Sequence, residues 1–173
     1  ILLMINWITI LISALGYFLL FMFPLNKGAP FIPNNKRKIQ SLIKTLQKMK
    51  GKYKCEKAID LGSGDGRVVI SLNKEGFNCD GVELNKILYK QSIRRLQKAM
   101  LEDKCKIFNE DLFKINLNKY DLIVLWQSPQ IMTRLSHKFK KELKEGSLVC
   151  SYYFKIPDLD EVYEADKWHF YKM

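Results

Sequence analysis

The chain has 173 residues, 47% of them hydrophobic, and 29 Lys and Arg against 18 Asp and Glu give a formal net charge of +11. This length suits one compact domain with an appendage, and a second catalytic domain would not fit in it. The charge does not indicate nucleic-acid binding, because residues 27–57 hold ten Lys and Arg against Glu56 alone, and the remainder is nearly neutral.

Residues 1–23 contain no charged side chain, and at 1.5 Å per residue they are long enough to cross a hydrocarbon core of ~30 Å. We predict a transmembrane helix there. A cleaved signal peptide is not indicated, because no basic start and no small-residue cleavage site is evident. The basic stretch that follows places the rest of the chain on the cytoplasmic side of the membrane, as a single-pass protein.

Residues 24–35 include three prolines, which predict an extended connector that cannot continue the helix. An amphipathic helix is expected over 36–50, capped by Asn34 or Asn35 and stopped by Gly51. Its opposite face is cationic, so the segment 27–57 either contacts anionic lipid or is simply solvated. The apolar face follows three-and-four spacing: Ile39, Leu42, Ile43, Leu46 and Met49.

The apolar runs from Cys55 onward alternate with helical patterns, and 36–173 is predicted to be one α/β domain. Runs such as LIVLW indicate strands buried on both faces, as in a mostly parallel, Rossmann-like sheet with helices on both sides. Cys55, Cys79, Cys105 and Cys150 show no C-x-x-C pairing and are expected to be reduced core thiols. Strands are predicted at 57–61, 79–83, 105–109, 121–126 and 147–154, an edge hairpin at 161–165 and 167–172, and helices from 66, at 86–101 and at 131–143.

The stretch AIDLGSGDGRVV, residues 58–69, reads as a strand, a tight loop and the start of a helix. Its glycines, at every second position from Gly62 to Gly66, allow backbone angles that other residues avoid. In such a sheet a ligand lies beyond the carboxyl ends of the strands, where Asp60, Glu83 and Asp111 are expected. Glu83 can accept hydrogen bonds from two ribose hydroxyls, and Asp111 from an adenine amino group.

The loop does not have the G-x-G-x-x-G spacing of a dinucleotide site. Asp60 and Asp65 would repel a pyrophosphate, whereas they would tolerate or favour a ligand with a sulfonium and an ammonium. S-adenosylmethionine is therefore the predicted cofactor. The predicted cofactor-binding residues are Asp60, Gly62, Ser63, Gly64, Asp65, Gly66, Glu83, Leu84, Asp111 and Leu112.

The pattern D-L-G-x-G-x-G with a later acidic residue resembles class I methyltransferases. More closely, DLGSGDGR, GVELN, EDLFK, the final WHFYKM and the PFIP element at 30–33 resemble the membrane-anchored protein-lysine methyltransferases of the family with sequence similarity 173. The resemblance covers nearly the whole chain. It implies S-adenosylmethionine as donor and the ε-amine of a protein lysine, at or near the membrane, as acceptor.

Residues after the fourth strand should border the acceptor channel, so Trp126, Gln127 and Ser128 are predicted to position the acceptor. The sequence Gln127-Ser128-Pro129-Gln130 departs from the [DN]-P-P-[YF] of enzymes that methylate amide or base nitrogens, and no general base is assigned. Trp126 can equally be a core aromatic. A small-molecule or lipid acceptor, and a non-catalytic membrane-tethered binding module, stay open as alternatives; an oxidoreductase is a weaker one.

The remaining charged groups are interpreted as structural. His137 and His169 are isolated in sequence, so no metal site is predicted. Arg67 is expected to steady the loop or a nearby carboxylate. Arg94, Arg95 and Lys98 are expected to form a solvated helix face.

Overall fold

The computed structural model describes residues 7, 9–17, 35–53 and 55–173. By its backbone contacts the chain divides into two compact units, residues 1–32 and 33–173. In the first unit, residues 9–17 are helical and expose large apolar side chains, Leu11 at 66% and Leu15 at 58%. Most of the predicted transmembrane helix 1–23 and of the connector 24–35 lies outside the described residues. Within the described part of the chain, none of the helices is long and apolar enough to cross a membrane.

The second unit begins with α1, Lys36–Met49, which has Asn35 as its N-cap. The Asn35 side chain accepts a hydrogen bond from the backbone N–H of Lys38 at 3.0 Å, satisfying one of the free donors of the first turn. Ile39, Leu42 and Leu46 are buried, as the apolar spacing predicts. The helix therefore lies on the sheet with one face and leaves its basic face exposed.

The sheet has seven strands in the order β3-β2-β1-β4-β5-β7-β6. The first five are parallel, and β7 enters antiparallel between β5 and β6. Strand order reverses between β1 and β4, so the edge above these two strands is where a ligand is expected. The strands are β1 Lys57–Leu61, β2 Asn78–Val82, β3 Ile107–Phe108, β4 Leu122–Leu125, β5 Leu148–Tyr152, β6 Glu161–Ala165 and β7 Trp168–Lys172.

Three further helices cover the sheet: α2 Arg67–Lys74, α3 Lys86–Lys98 and α4 Met132–Glu142. The core is correspondingly split into two clusters. One holds buried residues of α1, α2 and α3 against one face, with Leu42, Leu72 and Leu96 as members. The other packs α4, through residues such as Leu135 and Phe139, against the opposite face. Both faces are thus buried, which explains the uninterrupted apolar runs of the parallel strands.

The mostly parallel sheet with helices on both faces is confirmed, and the element bounds agree closely with the predicted ones. The largest difference is β3, where the predicted strand 105–109 is reduced to two residues. Cys105 instead folds back, its thiol donating to the Leu101 carbonyl at 3.5 Å. All four cysteines are free and buried, and burial raises the pKa of Cys55 to about 12, so these thiols are protonated and unreactive at neutral pH.

Candidate cofactor and acceptor site

The glycine loop between β1 and α2 is folded tightly against β2. Gly62 and Gly66 have φ values of +87° and +80°, a left-handed conformation that other residues rarely adopt. A Cβ added at Gly66 would lie 2.8 Å from the Ser92 Cβ of α3, and one at Gly62 would lie 1.9 Å from the Gln127 side-chain nitrogen. Gly66 is therefore fixed by close approach as well as by backbone angle, whereas the group near Gly62 is the movable end of a long side chain.

The amides of this loop are used within the protein. The N–H groups of Gly62 and Ser63 both donate to the Val82 carbonyl at 2.9 Å, and that of Gly66 donates to the Ser63 carbonyl at 2.9 Å. The Gly64 N–H donates to Glu83 Oε2, also at 2.9 Å. A pyrophosphate bound here could not use these four amides.

Glu83, directly after β2, joins the loop to the next turn. Its Oε2 accepts from Gly64, and its Oε1 accepts from the Asn85 N–H at 2.7 Å. Burial raises the pKa of Glu83, and the backbone hydrogen bonds oppose that rise. Each carboxylate oxygen can accept a second hydrogen bond. The residue can therefore hold the loop and still receive hydroxyl groups of a ligand.

The two acidic residues of the loop have different surroundings. Asp60, at 5% exposure, lies on β1, and burial, reinforced by the nearby Glu83 and Asp65 charges, raises its pKa to about 8. Asp65 is also buried, but its carboxylate pairs with Arg67, Nε to Oδ1 at 2.9 Å, and with Arg95, Nη1 to Oδ2 at 2.9 Å.

These ion pairs bear on two expectations. Arg67 steadies a nearby carboxylate, as predicted. Arg94, Arg95 and Lys98 are exposed, as predicted, but Arg95 also reaches from α3 to the loop and pairs with Asp65. The charge of Asp65 is balanced within the protein, and Asp60, with a pKa of about 8, is mostly protonated at neutral pH. The repulsion of a pyrophosphate therefore rests mainly on Glu83. Sequence spacing does not show this contact, because Asp65 and Arg95 are distant in the chain.

The other predicted cofactor residues line the end of β2 and the segment after β3. Leu84 is 38% exposed, and Leu112 is half-buried. Asp111 is half-buried and its Oδ1 accepts from the Phe113 N–H at 3.0 Å. Asn109, which the sequence did not single out, donates from Nδ2 to the Glu83 carbonyl at 2.8 Å. Ser63 presents its buried side chain toward Gly81 of β2, so its contribution to the site is through the loop backbone.

The residues after β4 come together with the loop through Gln127. Its Nε2 donates to the Leu61 carbonyl at 2.8 Å, directly above Gly62. Ser128 is half-buried and precedes a short 3-10 helix, Pro129–Ile131. Gln127 therefore lies at the boundary between the predicted donor and acceptor regions. Its side-chain amide is held in place by the Leu61 carbonyl.

Trp126 is half-buried and packs against the core on the α1 side of the sheet. Its ring meets that of Tyr152, at the end of β5, with centroids 5.0 Å apart in an edge arrangement. The ammonium of Lys38 lies 4.5 Å from the Trp126 ring centroid and 4.7 Å from that of Tyr152. Tyr152 and Lys38 are contacts that sequence spacing alone did not reveal.

A group of possible metal ligands lies on the hairpin formed by β6 and β7, which is distant in sequence from the glycine loop. Donor atoms of Glu161, Glu164 and His169 lie within 4.8 Å of one another, because β6 and β7 pair Glu164 with His169. The Lys155 ammonium already lies 2.8 Å from Glu161 Oε2, and His169 Nδ1 lies 2.7 Å from Glu161 Oε1. These contacts describe a structural ion-pair network. His137, on α4, is exposed.

The residues at this sheet edge fit S-adenosylmethionine better than a dinucleotide. The loop leaves no free amide at Gly62, Ser63, Gly64 or Gly66 for a phosphate. The nearby Glu83 carboxylate suits a cationic ligand, and a cation there would also favour the ionised form of Asp60. The Glu83 carboxylate offers acceptors for hydroxyl groups. Sheet order, loop and carboxylate together define a class I methyltransferase domain.

The comparisons with known proteins identify the family. The chain belongs to the ANTKMT methyltransferase domain family, whose model matches residues 60–163. It is 34% identical over 128 residues to the ATP synthase c-subunit lysine N-methyltransferase of Mus musculus, covering 74% of this chain and 50% of that protein. The enzyme of that name from Caenorhabditis elegans is 32% identical over 133 residues, covering 76% of this chain and 70% of that protein.

The fold is also that of solved methyltransferases. The RNA methyltransferase from Salinibacter ruber, in complex with S-adenosyl-L-homocysteine, aligns with a TM-score of 0.68 at 22% identity, covering 81% of this chain and 91% of that one. The predicted resemblance to protein-lysine methyltransferases is confirmed, and S-adenosylmethionine is confirmed as the cofactor of the family. This chain spans about half the length of the first mammalian relatives that it matches.

Proposed function

We propose that this protein transfers a methyl group from S-adenosylmethionine to the ε-amine of a lysine in a membrane-associated protein. The observation that carries the proposal is the Glu83 carboxylate, which holds the glycine loop while its second acceptor positions stay available. The acceptor class follows from the relatives, which are named for lysine methylation of the ATP synthase c-subunit. The donor would be held by the loop 62–66, by Glu83 with Leu84, and by Asp111 with Leu112.

When bound, S-adenosylmethionine supplies an electrophilic methyl group on a positively charged sulfur. The acceptor lysine must first lose a proton, since its ordinary pKa is about 10.4, and an apolar approach favours the neutral amine. The amine nitrogen then forms a bond with the methyl carbon as the carbon–sulfur bond breaks, and the additional proton leaves to water. The protein mainly aligns the reactants and excludes water. Trp126, Gln127 and Ser128 would border the acceptor, with Gln127 fixing their distance from the loop.

The central experiment uses the full chain, solubilised in detergent, with methyl-labelled S-adenosylmethionine and native membranes. Mass spectrometry should place the label on a lysine of a membrane protein. Label in lipid with none in protein would instead show a lipid acceptor. Tight donor binding without any transfer would show a binding module. The Gly64→Val variant serves as the inactive control, because Gly64 has a φ of +55° that a β-branched residue rarely adopts.

We further propose that residues 1–23 anchor the protein in the membrane as a single transmembrane pass, with 36–173 as the methyltransferase domain on the cytoplasmic side. The uncharged sequence and the exposed apolar side chains of Leu11 and Leu15 support this. The full chain should stay in the membrane pellet after alkaline carbonate extraction. A Leu11→Arg, Leu15→Arg double variant should be released, and release of the wild type would contradict the anchor.

The basic segment 27–57 is proposed to contact anionic lipid headgroups. Lys44 and Lys48 are exposed on α1, whereas Lys50 and Lys57 lie 4.9 Å and 5.9 Å from the ring centroids of Phe77 and Tyr120. Lys44 and Lys48 are therefore the lysines counted toward lipid, at about 1 kcal/mol each. Flotation with phosphatidylcholine vesicles containing phosphatidylserine should weaken on Lys44→Gln and Lys48→Gln. Equal flotation of variant and wild type would contradict the proposal.

A further inference from the structure

The ends of β4 and β5 carry three aromatic rings in a row, Trp126, Tyr152 and Tyr153, which we name the aromatic patch. The Trp126 and Tyr152 centroids are 5.0 Å apart and those of Tyr152 and Tyr153 are 6.4 Å apart. Tyr153 is 54% exposed and has a φ of +71°. A large exposed side chain held in the left-handed region is an unusual arrangement, and such outliers concentrate at functional sites.

Two lysines of the chain already lie over these rings. The Lys38 ammonium sits 4.5 Å and 4.7 Å from the Trp126 and Tyr152 centroids, and the Lys167 ammonium sits 5.2 Å from that of Tyr153. All three distances are within the range of cation–π attraction. Within residues 35–53 and 55–173, no salt bridge links Lys38 to a carboxylate. The aromatic patch thus has the chemistry to hold a lysine ammonium without an acidic partner.

The patch is also close to the donor region. Strands β1, β4 and β5 are neighbours, so the end of β5 lies two strand spacings, about 10 Å, from the glycine loop. Gln127, next to Trp126, reaches that loop through its hydrogen bond to the Leu61 carbonyl. An acceptor lysine approaching the end of β4 would therefore meet the rings that Lys38 covers.

The backbone of Lys38 is fixed while its side chain can rotate. Its carbonyl accepts a hydrogen bond from Trp168 Nε1 at 3.1 Å, which ties the first turn of α1 to β7. The ammonium is bound only at the end of a flexible four-carbon stem. Withdrawal of this side chain would uncover both rings without displacing the helix.

We propose that the aromatic patch captures the ammonium of the acceptor lysine, and that Lys38 is an internal occupant which the acceptor must displace. This inference rests on the proposed lysine methylation. The rings attract the charged amine at entry, and the proton is lost only after the amine has moved on toward the donor. Lys38 acts as a built-in competitor that lowers the apparent affinity for lysine by the fraction of time it covers the rings.

The test is a titration of the full chain with n-butylammonium chloride, a lysine side-chain analogue, in the presence of S-adenosylhomocysteine. Binding is followed by tryptophan fluorescence, and Trp126→Phe identifies the part of the signal that comes from the patch, since the chain has three tryptophans. Lys38→Met should lower the half-saturating concentration roughly two- to fivefold, as expected for loss of a half-buried cation–π competitor. Lys38→Arg, which keeps a cation over the rings, should resemble the wild type.

Lys44→Met provides the matched control, because it removes one charge from an exposed position of the same helix. Equal half-saturation in Lys38→Met and the wild type would overturn the inference, as would an equal gain in Lys44→Met. Unchanged S-adenosylhomocysteine binding in each variant verifies that the fold is intact. Competition by Lys38 without any lysine labelling of membranes would contradict the proposed function while still showing an ammonium site that Lys38 covers. Lysine labelling with equal half-saturation would overturn this inference alone, so the two failures are distinguishable.

Discussion

The glycine loop with Glu83 is held by hydrogen bonds between backbone and carboxylate, whereas the aromatic patch is held by ring packing and cation–π contacts. In the first region, Gly62, Ser63 and Gly64 all donate to residues at the end of β2, and little can move without breaking several bonds. In the second, rings from β4 and β5 meet a side chain from α1. The difference teaches that the predicted donor side of this edge is rigid, because backbone hydrogen bonds hold it, and that the proposed acceptor side is adjustable.

The largest expected effect is on the rigid side, at Gly66. Gly66→Ala places a Cβ 2.8 Å from the Ser92 side chain in a left-handed backbone, which should lower the free energy of unfolding by about 2 to 4 kcal/mol and weaken donor binding. Gly76→Ala is the control, because Gly76 has the same φ of +80° with nothing within 4 Å of an added Cβ. In Gly76→Ala, urea denaturation should show a loss of only about 1 kcal/mol in the free energy of unfolding. Equal losses would show that close approach is unimportant at Gly66.

The next largest effect is expected for Glu83→Gln, and it is measured as the affinity for S-adenosylmethionine. The Gln side chain is neutral and has a single acceptor oxygen, so one of the Gly64 and Asn85 amides loses its acceptor and the other keeps only an uncharged one, at about 1.5 to 3 kcal/mol. Calorimetry should show the dissociation constant for S-adenosylmethionine rising at least about tenfold. Glu110→Gln, at an exposed position, should leave it unchanged. An equal weakening by both variants would assign the effect to general charge.

A pH-dependent effect on stability is expected at Asp60. Its folded pKa of about 8 lies above the ordinary value of 3.8, so the folded state binds this proton more tightly than the unfolded state. The stabilisation is fully present below about pH 4 and is lost as pH rises toward 8, at no more than about 1.4 kcal/mol per pH unit. In urea denaturation across this range, Asp60→Asn should remove that part of the slope. If the free energy of unfolding changed equally with pH in the variant and the wild type, the raised pKa of Asp60 would be contradicted.

The smallest change in stability is expected on the adjustable side, at Tyr153. Tyr153→Gly relieves a φ of +71° but loses an edge contact with Phe154 at 5.1 Å, so the free energy of unfolding should change by less than about 1 kcal/mol. Turnover of the lysine acceptor should nevertheless fall while donor binding is unchanged. Asp158→Gly, at another left-handed exposed residue, should leave turnover intact. Loss of donor binding in Tyr153→Gly would remove the distinction between the two sides.

The predicted donor side could be located from the sequence because the patterns that mark it are local. The loop 62–66 and Glu83 follow directly from strand ends and glycine spacing, and α1 follows from its apolar periodicity. Sequence reasoning missed the ion pair of Asp65 with Arg95 and the meeting of Lys38 with Trp126 and Tyr152, because these contacts join elements far apart in the chain. The same limit applies to Glu161 and His169, which only the register of β6 and β7 brings together. Side-chain partners of this kind depend on packing that one sequence does not display.

The position of β7 between β5 and β6 affects the order in which the molecule can be assembled during synthesis. Strands β1 to β4, which carry the glycine loop, emerge from the ribosome well before residues 168–172, and N-terminal parts of a chain fold first where they can. Trp168 of that late strand anchors the Lys38 carbonyl and packs on Tyr152 at 5.0 Å. A nascent chain lacking β7 would therefore acquire the glycine loop and Glu83 before the packing around Tyr152 and Lys38 is complete, so the aromatic patch is the part of this edge that forms last.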